Sequence, residues 1–208
     1  MRASSARHER KISPDTPPAE AGRTGLSYAL RRDVARLVRK VPTRGQAARV
    51  NLTNRGFQEI ILYRLSRALW QRGVPLLPLV LTRLAQSLFA VDIAYQADLG
   101  PGIVIVHGFG LVIGSETVIE GDCCLFHGVT LGDRGSEWVG SSRPDGHPTL
   151  ETNVMVGAGA KILGPIRIGR SSIIGANAVV LRDVPPFSIM AGVPARIVGQ
   201  RPIEDIQE

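Results

Sequence analysis

The sequence predicts a mainly β protein, in which a parallel β-helix of hexapeptide repeats follows a small α-helical region. In the C-terminal half, aliphatic residues recur every six positions: positions 150, 156, 162, 168, 174 and 180 are all Leu, Ile or Val. Aromatic residues make up 5% of the 208-residue chain, which contains 23 glycines. This composition suits a coil whose tight corners need small side chains beside the stacked aliphatic residues.

The first segment, residues 1–22, is predicted to be a disordered leader. It lacks the apolar stretch that a secretory signal peptide requires. His8 belongs to this leader and is predicted to be inert.

Residues 23–91 are predicted to form a helical N-terminal domain. Apolar residues spaced three and four apart predict amphipathic helices over 26–38, from about 54 to 73, and over 79–89. The last of these lies in the most apolar stretch, but two prolines, Arg83 and Gln86 interrupt it. This pattern favours a buried or interface helix over a membrane span.

Charge divides the chain into two regions. Residues 1–91 contain 17 Lys and Arg against 5 Asp and Glu, a net +12, whereas residues 92–208 contain 8 against 13, a net −5. The basic region is predicted either to meet an acidic partner, such as a carrier protein, or to be a solvated helix surface. No nucleic-acid-binding motif accompanies the charge, so neither nucleic acid nor a membrane is an expected partner.

Residues 92–199 are predicted to form the β-helix, and residues 200–208 a C-terminal tail. Each hexapeptide supplies one short strand and one corner, so three of them make a triangular coil of about 18 residues. Two features interrupt this register: an eight-residue step at 111–118 and a polar loop at 132–148.

His107 lies in the apolar, glycine-rich run IVIVHGFGLVIG at 103–114. A histidine in such a run is commonly a core residue that hydrogen-bonds to a carbonyl. Residues about 15 to 18 apart are expected to stack on neighbouring coils, and Asp92 precedes His107 by 15. A carboxylate on one imidazole nitrogen leaves the other free to accept a proton, so the pair predicts a general base with its orienting carboxylate.

His127 and the two cysteines are assigned structural roles. His127 is predicted to be a core or interface histidine, with a polar group in a substrate pocket as the alternative. Cys123 and Cys124 are adjacent, which is the spacing of neither a metal site nor a disulfide framework. We therefore expect small core side chains, no metal and a reducing, cytoplasmic location.

Six stretches form an ordered series: VDI at 91–93, HGFGLVIGSETVIEGD from 107, VTLGD at 129–133, GHP at 146–148, VGAGAKILGPIRIG at 156–169 and AGVPARIVG at 191–199. This series resembles the serine acetyltransferase family of hexapeptide-repeat acyltransferases. The likeness extends back into GFQEIILYRLSRALW at 56–70 and covers roughly residues 50–200. It implies a left-handed β-helix, assembled as a trimer or a dimer of trimers, that transfers an acetyl group from acetyl-CoA to a hydroxyl acceptor.

The resemblance also implies roles for individual residues. His107 matches the catalytic base, Asp92 its carboxylate partner, and His147 a second histidine that enters the site from a neighbouring subunit. Acetyl-CoA would bind between neighbouring coils, and Arg196 is a candidate contact for its phosphates. The positions that match contacts to the pantetheine arm are Gly132, Ala158 and Ala176.

Three positions depart from the family pattern. Val106 and Val41 stand where the family has aspartates that hold the amino group of serine, and Gly146 stands where it has an arginine that holds the carboxylate. The polar loop is also longer than in the family and contributes Trp138 and Arg143 to the predicted acceptor pocket. These departures predict an acceptor other than free serine, such as a sugar, a secondary metabolite or a hydroxyl group on a carrier protein.

Two alternatives remain open at this point. In the first, the chain is a serine O-acetyltransferase of cysteine biosynthesis that uses other recognition residues. In the second, it is a non-catalytic β-helix that serves as a scaffold or binding module. The sequence does not end in the isoleucine with which serine acetyltransferases dock into cysteine synthase, so no complex with that enzyme is expected.

Overall fold

The computed structural model describes residues 25–39, 43–135 and 146–202, so the predicted leader lies outside the described residues. The helices of the described part are α1 (Leu26–Val38), α2 (Arg44–Thr53), α3 (Arg55–Gln71) and α4 (Leu77–Phe89). The helices α1, α3 and α4 lie where the sequence predicts helices. In the part of the chain that the structure describes, no helix combines the length and apolar character needed to cross a bilayer.

The helix α2 is not predicted by the sequence, because its apolar residues form no stripe along one face. It begins instead with a capping box. The Thr43 hydroxyl accepts a hydrogen bond from Gln46 N, and the Gln46 side chain accepts one from Thr43 N. Two of the amide groups left open at the helix start are thereby satisfied.

Short strands follow the helices and pair into three sheets. The strands are β1 (Asp92–Ile93), β2 (Asp98–Leu99), β3 (Val104–Val106), β4 (Val112–Ile113), β5 (Val118–Ile119), β6 (Cys124–Phe126), β7 (Thr130–Gly132), β8 (Thr149–Leu150), β9 (Met155–Val156), β10 (Lys161–Leu163), β11 (Arg167–Ile168), β12 (Ile173–Ile174), β13 (Val179–Val180), β14 (Ser188–Gly192) and β15 (Ala195–Gln200). The first sheet has the order β1-β4-β7-β10-β13, the second β2-β5-β8-β11, and the third β3-β6-β9-β12-β14-β15. All pairings are parallel except that of β14 with β15.

Neighbouring strands of one sheet come from successive coils. Asp92 pairs with Val112, 20 residues later, and Val112 pairs with Thr130, 18 residues later. The aliphatic residues at six-residue spacing point inward, and each is at most 1% exposed. They include Leu150, Val156, Ile162, Ile168, Ile174 and Val180. The predicted fold class, a left-handed parallel β-helix preceded by a small helical region, is confirmed.

The position of the eight-residue step was predicted wrongly at 111–118. Ile105 and Ile113 both point into the core, so the longer step lies between them and contains His107. The backbone there has positive φ, 65° at His107 and 67° at Gly108. Few non-glycine residues adopt this conformation. The turn leaves His107 exposed at the corner, which excludes a core histidine at this position.

A buried ion pair joins the helices to the β-helix. Arg64 of α3 donates from Nε and Nη2 to the two carboxylate oxygens of Asp33 in α1, at 2.6 and 2.9 Å. Asp33 Oδ1 also accepts hydrogen bonds from Gly102 N and Ile103 N, at 2.8 and 2.9 Å. The guanidinium donates two further bonds to backbone carbonyls of the first coil. Both charges are thus hydrogen-bonded, which is the condition under which a buried ion pair is tolerated.

Other arginines of the basic region face carboxylates of the same chain. Arg32 and Arg36 of α1 contact Asp122, and Arg67 of α3 contacts Asp98 at 2.8 Å. These pairs neutralise part of the basic charge. The predicted acidic carrier protein therefore finds no support, because acidic groups of the β-helix already face this surface.

Candidate active site

One edge of the β-helix, between the third and the first sheet, aligns residues from successive coils. We call it the histidine edge, and its residues are His107, His127, Ala158 and Ala176. The carbonyls of Phe109, His127 and Ala158 each accept an amide hydrogen bond of 2.8–2.9 Å from the next coil. The predicted base and two of the predicted coenzyme contacts therefore lie in one line, with His127 between them.

His127 is held between two aromatic rings. Its ring stacks on Phe109, with centroids 4.9 Å apart and 21° between the planes. The His107 ring meets it edge-on, with centroids 5.8 Å apart and an angle of 65°. The Nδ1 atom of His127 is buried and has no hydrogen-bond partner among the described residues. Packing, rather than hydrogen bonding, thus orients this imidazole.

Asp92 lies at the start of β1 with its side chain exposed. Its strand partner is Val112. Within the described part of the chain, the Asp92 carboxylate and the His107 ring make no hydrogen bond. The dyad therefore stays a prediction, since catalytic hydrogen bonds often tighten only when substrate binds.

His147 lies at the opposite edge of the first sheet, between the first and second sheets. Its Nδ1 atom is 3.3 Å from Glu116 Oε2, which makes a carboxylate–imidazole contact. The ring packs against Gly114, where a Cβ would overlap it. The pairing of Glu116 with His147 is not evident from the sequence, because the two residues are 31 positions apart and the long loop lies between them. Within one chain, the width of the first sheet separates His147 from His107.

The two remaining coenzyme positions lie apart from each other. Gly132 ends β7 on the His147 side of the first sheet. The space around its Cα is open, because a Cβ added there would meet its nearest atom, Thr130 Cγ2, at 3.6 Å. Arg196 of β15 is exposed and lies opposite Ala191 of β14. Ala191 packs beside Gly175, which directly precedes Ala176 of the histidine edge. Arg196, as the strand partner of Ala191, therefore stands at the end of this edge. The structure thus brings Arg196, but not Gly132, to this edge.

Two of the five predicted acceptor residues, Val106 and Gly146, lie in the part of the chain that the structure describes. Val106 ends β3 and is half-buried beside Phe126 of the next coil. Gly146 has a φ of 136°, and a Cβ there would lie 3.1 Å from Pro165 Cβ. A larger side chain would therefore crowd Pro165. Three other predicted acceptor residues lie outside the described residues: Val41, Trp138 and Arg143.

A buried carboxylate lies beneath the turn that carries His107. Glu59 of α3 is 1% exposed, and a Cβ at Gly108 would overlap its carboxylate. Neither of its oxygens has a hydrogen-bond partner in the described residues, although Arg55 Nε lies 3.6 Å from Oε1. Burial raises the pKa of Glu59 from 4.5 to about 7, against the opposing effect of Arg55. Its place between the core residues Phe57 and Ile60 was the sequence signal that could have revealed it.

Glu59 is expected to make the stability of the protein depend on pH. Because folding raises its pKa from 4.5 to about 7, the folded state keeps this proton between those values while the unfolded state releases it. The free energy of unfolding should therefore fall as the pH rises through this range. The expected loss is on the order of 3 kcal/mol. Urea unfolding across the range measures it.

The matched pair of variants is Glu59→Gln and Glu120→Gln. Glu59→Gln removes the titrating group, so the free energy of unfolding should no longer fall with rising pH. Glu120→Gln removes an exposed carboxylate and should keep the wild-type pH dependence. A slope that persists in Glu59→Gln would show that another group carries the pH dependence.

Comparison with known proteins places this fold in a family. Residues 147–182 match the family described as bacterial transferase hexapeptide (six repeats). The serine acetyltransferase of Mycobacterium tuberculosis is 41% identical over 172 residues, which cover 83% of this chain and 73% of that protein. The serine acetyltransferase of Synechococcus elongatus is 48% identical over 144 residues, which cover 69% of this chain and 57% of that protein. The crystal structure of the Brucella abortus serine acetyltransferase in complex with coenzyme A matches with a TM-score of 0.76 and 38% identity, covering 85% of this chain and 68% of that one.

The chain belongs to the serine acetyltransferase family. This membership confirms the predicted enzyme class, an acetyl-CoA-dependent acyltransferase. The alternative of a non-catalytic scaffold is accordingly wrong.

Membership in the serine acetyltransferase family also corrects the predicted acceptor. The expectation of an acceptor other than free serine is contradicted by the names of relatives that are 41% and 48% identical. That expectation rested on the residue types at Val106, Val41 and Gly146. The residue types at these three positions therefore do not decide the acceptor of this chain.

Proposed function

We propose that the chain is a serine O-acetyltransferase, which transfers the acetyl group of acetyl-CoA to the hydroxyl group of L-serine. The observation that carries this proposal is the exposed imidazole of His107, in line with Ala158 and Ala176 on the histidine edge. The names of the relatives support serine as the acceptor.

The reaction needs a base, a place for the thioester and a path for one proton. His107 accepts the proton of the serine hydroxyl while the oxygen attacks the thioester carbonyl carbon. The tetrahedral intermediate then collapses: the carbon–sulfur bond breaks and the acetyl ester stays on serine. The imidazolium returns its proton to the sulfur of CoA, so the base is regenerated without a covalent enzyme intermediate. Asp92 is the proposed partner of the base once substrate is bound.

The histidine edge suits a long, narrow arm such as that of CoA. Ala158 and Ala176 carry only methyl groups, so the backbone of their coils is open to a ligand that lies along the edge. Arg196, at the end of the edge, is available for phosphate groups, which a guanidinium binds well. Gly132 would reach the same arm from a neighbouring protomer.

A trimer accounts for the two separated groups of site residues. A threefold axis repeats a head-to-tail contact, in which one edge of a protomer meets a different edge of the next. In that arrangement His147, with Glu116, joins the histidine edge of the adjacent protomer. The complete site then lies at the boundary between two chains.

Gly114→Ala is expected to lower kcat about 10-fold or more, because a misplacement of about 1 Å at a catalytic group is costly. The added methyl group would displace the His147 ring from its place beside Glu116. Steady-state kinetics with acetyl-CoA and serine measure the loss. Gly45→Ala is the matched control, because a Cβ at Gly45 would meet no atom within 4 Å. Wild-type kinetics in Gly114→Ala would exclude a catalytic role of His147 in this position.

The proposed function is tested by thiol release from acetyl-CoA with L-serine as the acceptor. We expect CoA and O-acetylserine to form in equal amounts, and L-threonine and glucose to be poor acceptors. His107→Ala supplies the background rate. Turnover with glucose but not with serine would overturn the proposal.

We also propose the cytoplasm as the site of action and a boundary near residue 91 between the helical and β-helix domains. Cys123 and Cys124 are free thiols, which suits a reducing compartment. The last helix ends at Phe89 and the first coil begins at Asp92.

A further inference from the structure

We propose that His127 is a second catalytic imidazole, which donates a hydrogen bond from Nε2 to the thioester carbonyl oxygen as negative charge develops there. The inference rests on the proposed acetyl transfer and adds the group that stabilises its oxyanion. It differs from the role of His107, which moves a proton.

The position of His127 in the fold is the first argument. Its coil follows the turn of His107 along the histidine edge, and the next coil carries Ala158. When a thioester lies along this edge with its carbonyl carbon next to the His107 imidazole, its carbonyl group lies beside the His127 ring. The two rings are 5.8 Å apart, which leaves each imidazole able to reach a different atom of one small reacting group.

The state of the two ring nitrogens is the second argument. Nδ1 is buried and, in the described part of the chain, has no hydrogen-bond partner. A buried N–H group without an acceptor is rarer in proteins than an unsatisfied acceptor, so burial favours the tautomer with the proton on Nε2. The residue as a whole is half-buried, and Nε2 is not among the buried unpaired atoms. His127 therefore presents an N–H donor at the edge.

The rigidity and the charge of the surroundings give the third argument. Phe109 stacks on the ring and His107 meets it edge-on, so the donor is held in place before substrate arrives. A donor that needs no reorganisation stabilises an oxyanion more strongly than a mobile one. The Lys161 ammonium donates to the carbonyl of Gly128, the next residue after His127, at 2.5 Å. Its positive charge beside the edge favours an anionic intermediate.

The test compares His127→Phe, which keeps an aromatic ring on Phe109 but lacks the donor, with His127→Gln, which loses the ring but keeps an N–H donor. Loss of one oxyanion donor typically lowers kcat about 10²- to 10³-fold. We expect this loss in His127→Phe, with little change in KM for acetyl-CoA, and a loss below about 10-fold in His127→Gln. A His127→Phe variant with wild-type kcat would overturn the proposal, because packing alone would then account for the residue.

A second measurement separates this proposal from the choice of acceptor. Acetyl-CoA labelled with ¹³C at the carbonyl carbon is bound to each full-length variant in the absence of serine. A hydrogen bond to the carbonyl oxygen moves the ¹³C resonance downfield, so we expect this shift in wild type and His127→Gln but not in His127→Phe. The same shift in His127→Phe would overturn the role of His127 even if serine is acetylated. A missing turnover with serine, together with the expected pattern of shifts, would overturn the acceptor and leave the role of His127 intact.

Discussion

His107→Ala is expected to lower kcat for acetyl transfer about 10²- to 10⁴-fold, the contribution that a positioned general base typically makes. The substitution removes the exposed imidazole from the turn. The proposed mechanism has no other acceptor for the proton of the serine hydroxyl. The KM for acetyl-CoA should change little, because the proposed coenzyme contacts lie on later coils. Steady-state thiol release measures both constants. Thr152→Ala, an exposed change on a different edge, is the control and should keep wild-type rates.

Asp92→Asn tests the predicted dyad alongside His107→Ala. The two side chains make no hydrogen bond within the residues that the structure describes. If substrate binding brings them together, the amide can no longer stabilise the imidazolium, and kcat should fall at least about 10-fold. A rate equal to that of wild type would remove Asp92 from the mechanism while leaving His107 as the base.

Arg64→Ala is expected to lower the free energy of unfolding by about 3–5 kcal/mol, the usual effect of breaking a buried ion pair. The change leaves the Asp33 carboxylate buried without its cation, since the two side chains are 0% and 6% exposed. It also removes two hydrogen bonds to carbonyls of the first coil. Urea unfolding at a fixed protein concentration measures the loss, because assembly makes apparent stability depend on concentration.

Two further variants locate the origin of that loss. Arg167→Ala breaks contacts with Glu120 and Glu151, but its side chain is 54% exposed, and such pairs are worth about 0–1 kcal/mol. The double variant Arg64→Met with Asp33→Leu should be more stable than either single variant, because no unpaired charge stays buried. A double variant as unstable as Arg64→Ala would assign the loss to packing rather than to the orphaned carboxylate.

The spacing of side chains along the sequence was sufficient for the β-helix but not for every detail of its path. Residues six apart that are all aliphatic can be buried together in one coil after another, so the inner column from Leu150 to Val180 is predictable. The extra residues between Ile105 and Ile113 were misplaced, because Leu111 is also buried and mimics the repeat. The helix α2 escaped prediction for a different reason: its start depends on the capping pair of Thr43 and Gln46 rather than on an apolar face.

The candidate site was predictable where its residues belong to the repeat and unpredictable where they do not. Ala158 and Ala176 occupy equivalent corners of successive coils, so the same periodicity that builds the coil aligns them. Glu59 reaches the site from a helix, and Glu116 meets His147 across 31 residues that include the long loop. No periodicity connects such pairs, because their contact depends on how separate elements dock.

The sequence by itself determined the coil and its inward-facing residues, because a short repeat translates directly into three-dimensional stacking. The tertiary structure decided the rest: it exposed His107 at a corner, set it and His147 at opposite edges of one sheet, and buried Glu59 beneath the turn that carries His107. It also directed the arginines of the helices toward the carboxylates of the β-helix. These features depend on contacts between distant segments, and local spacing carries no information about them.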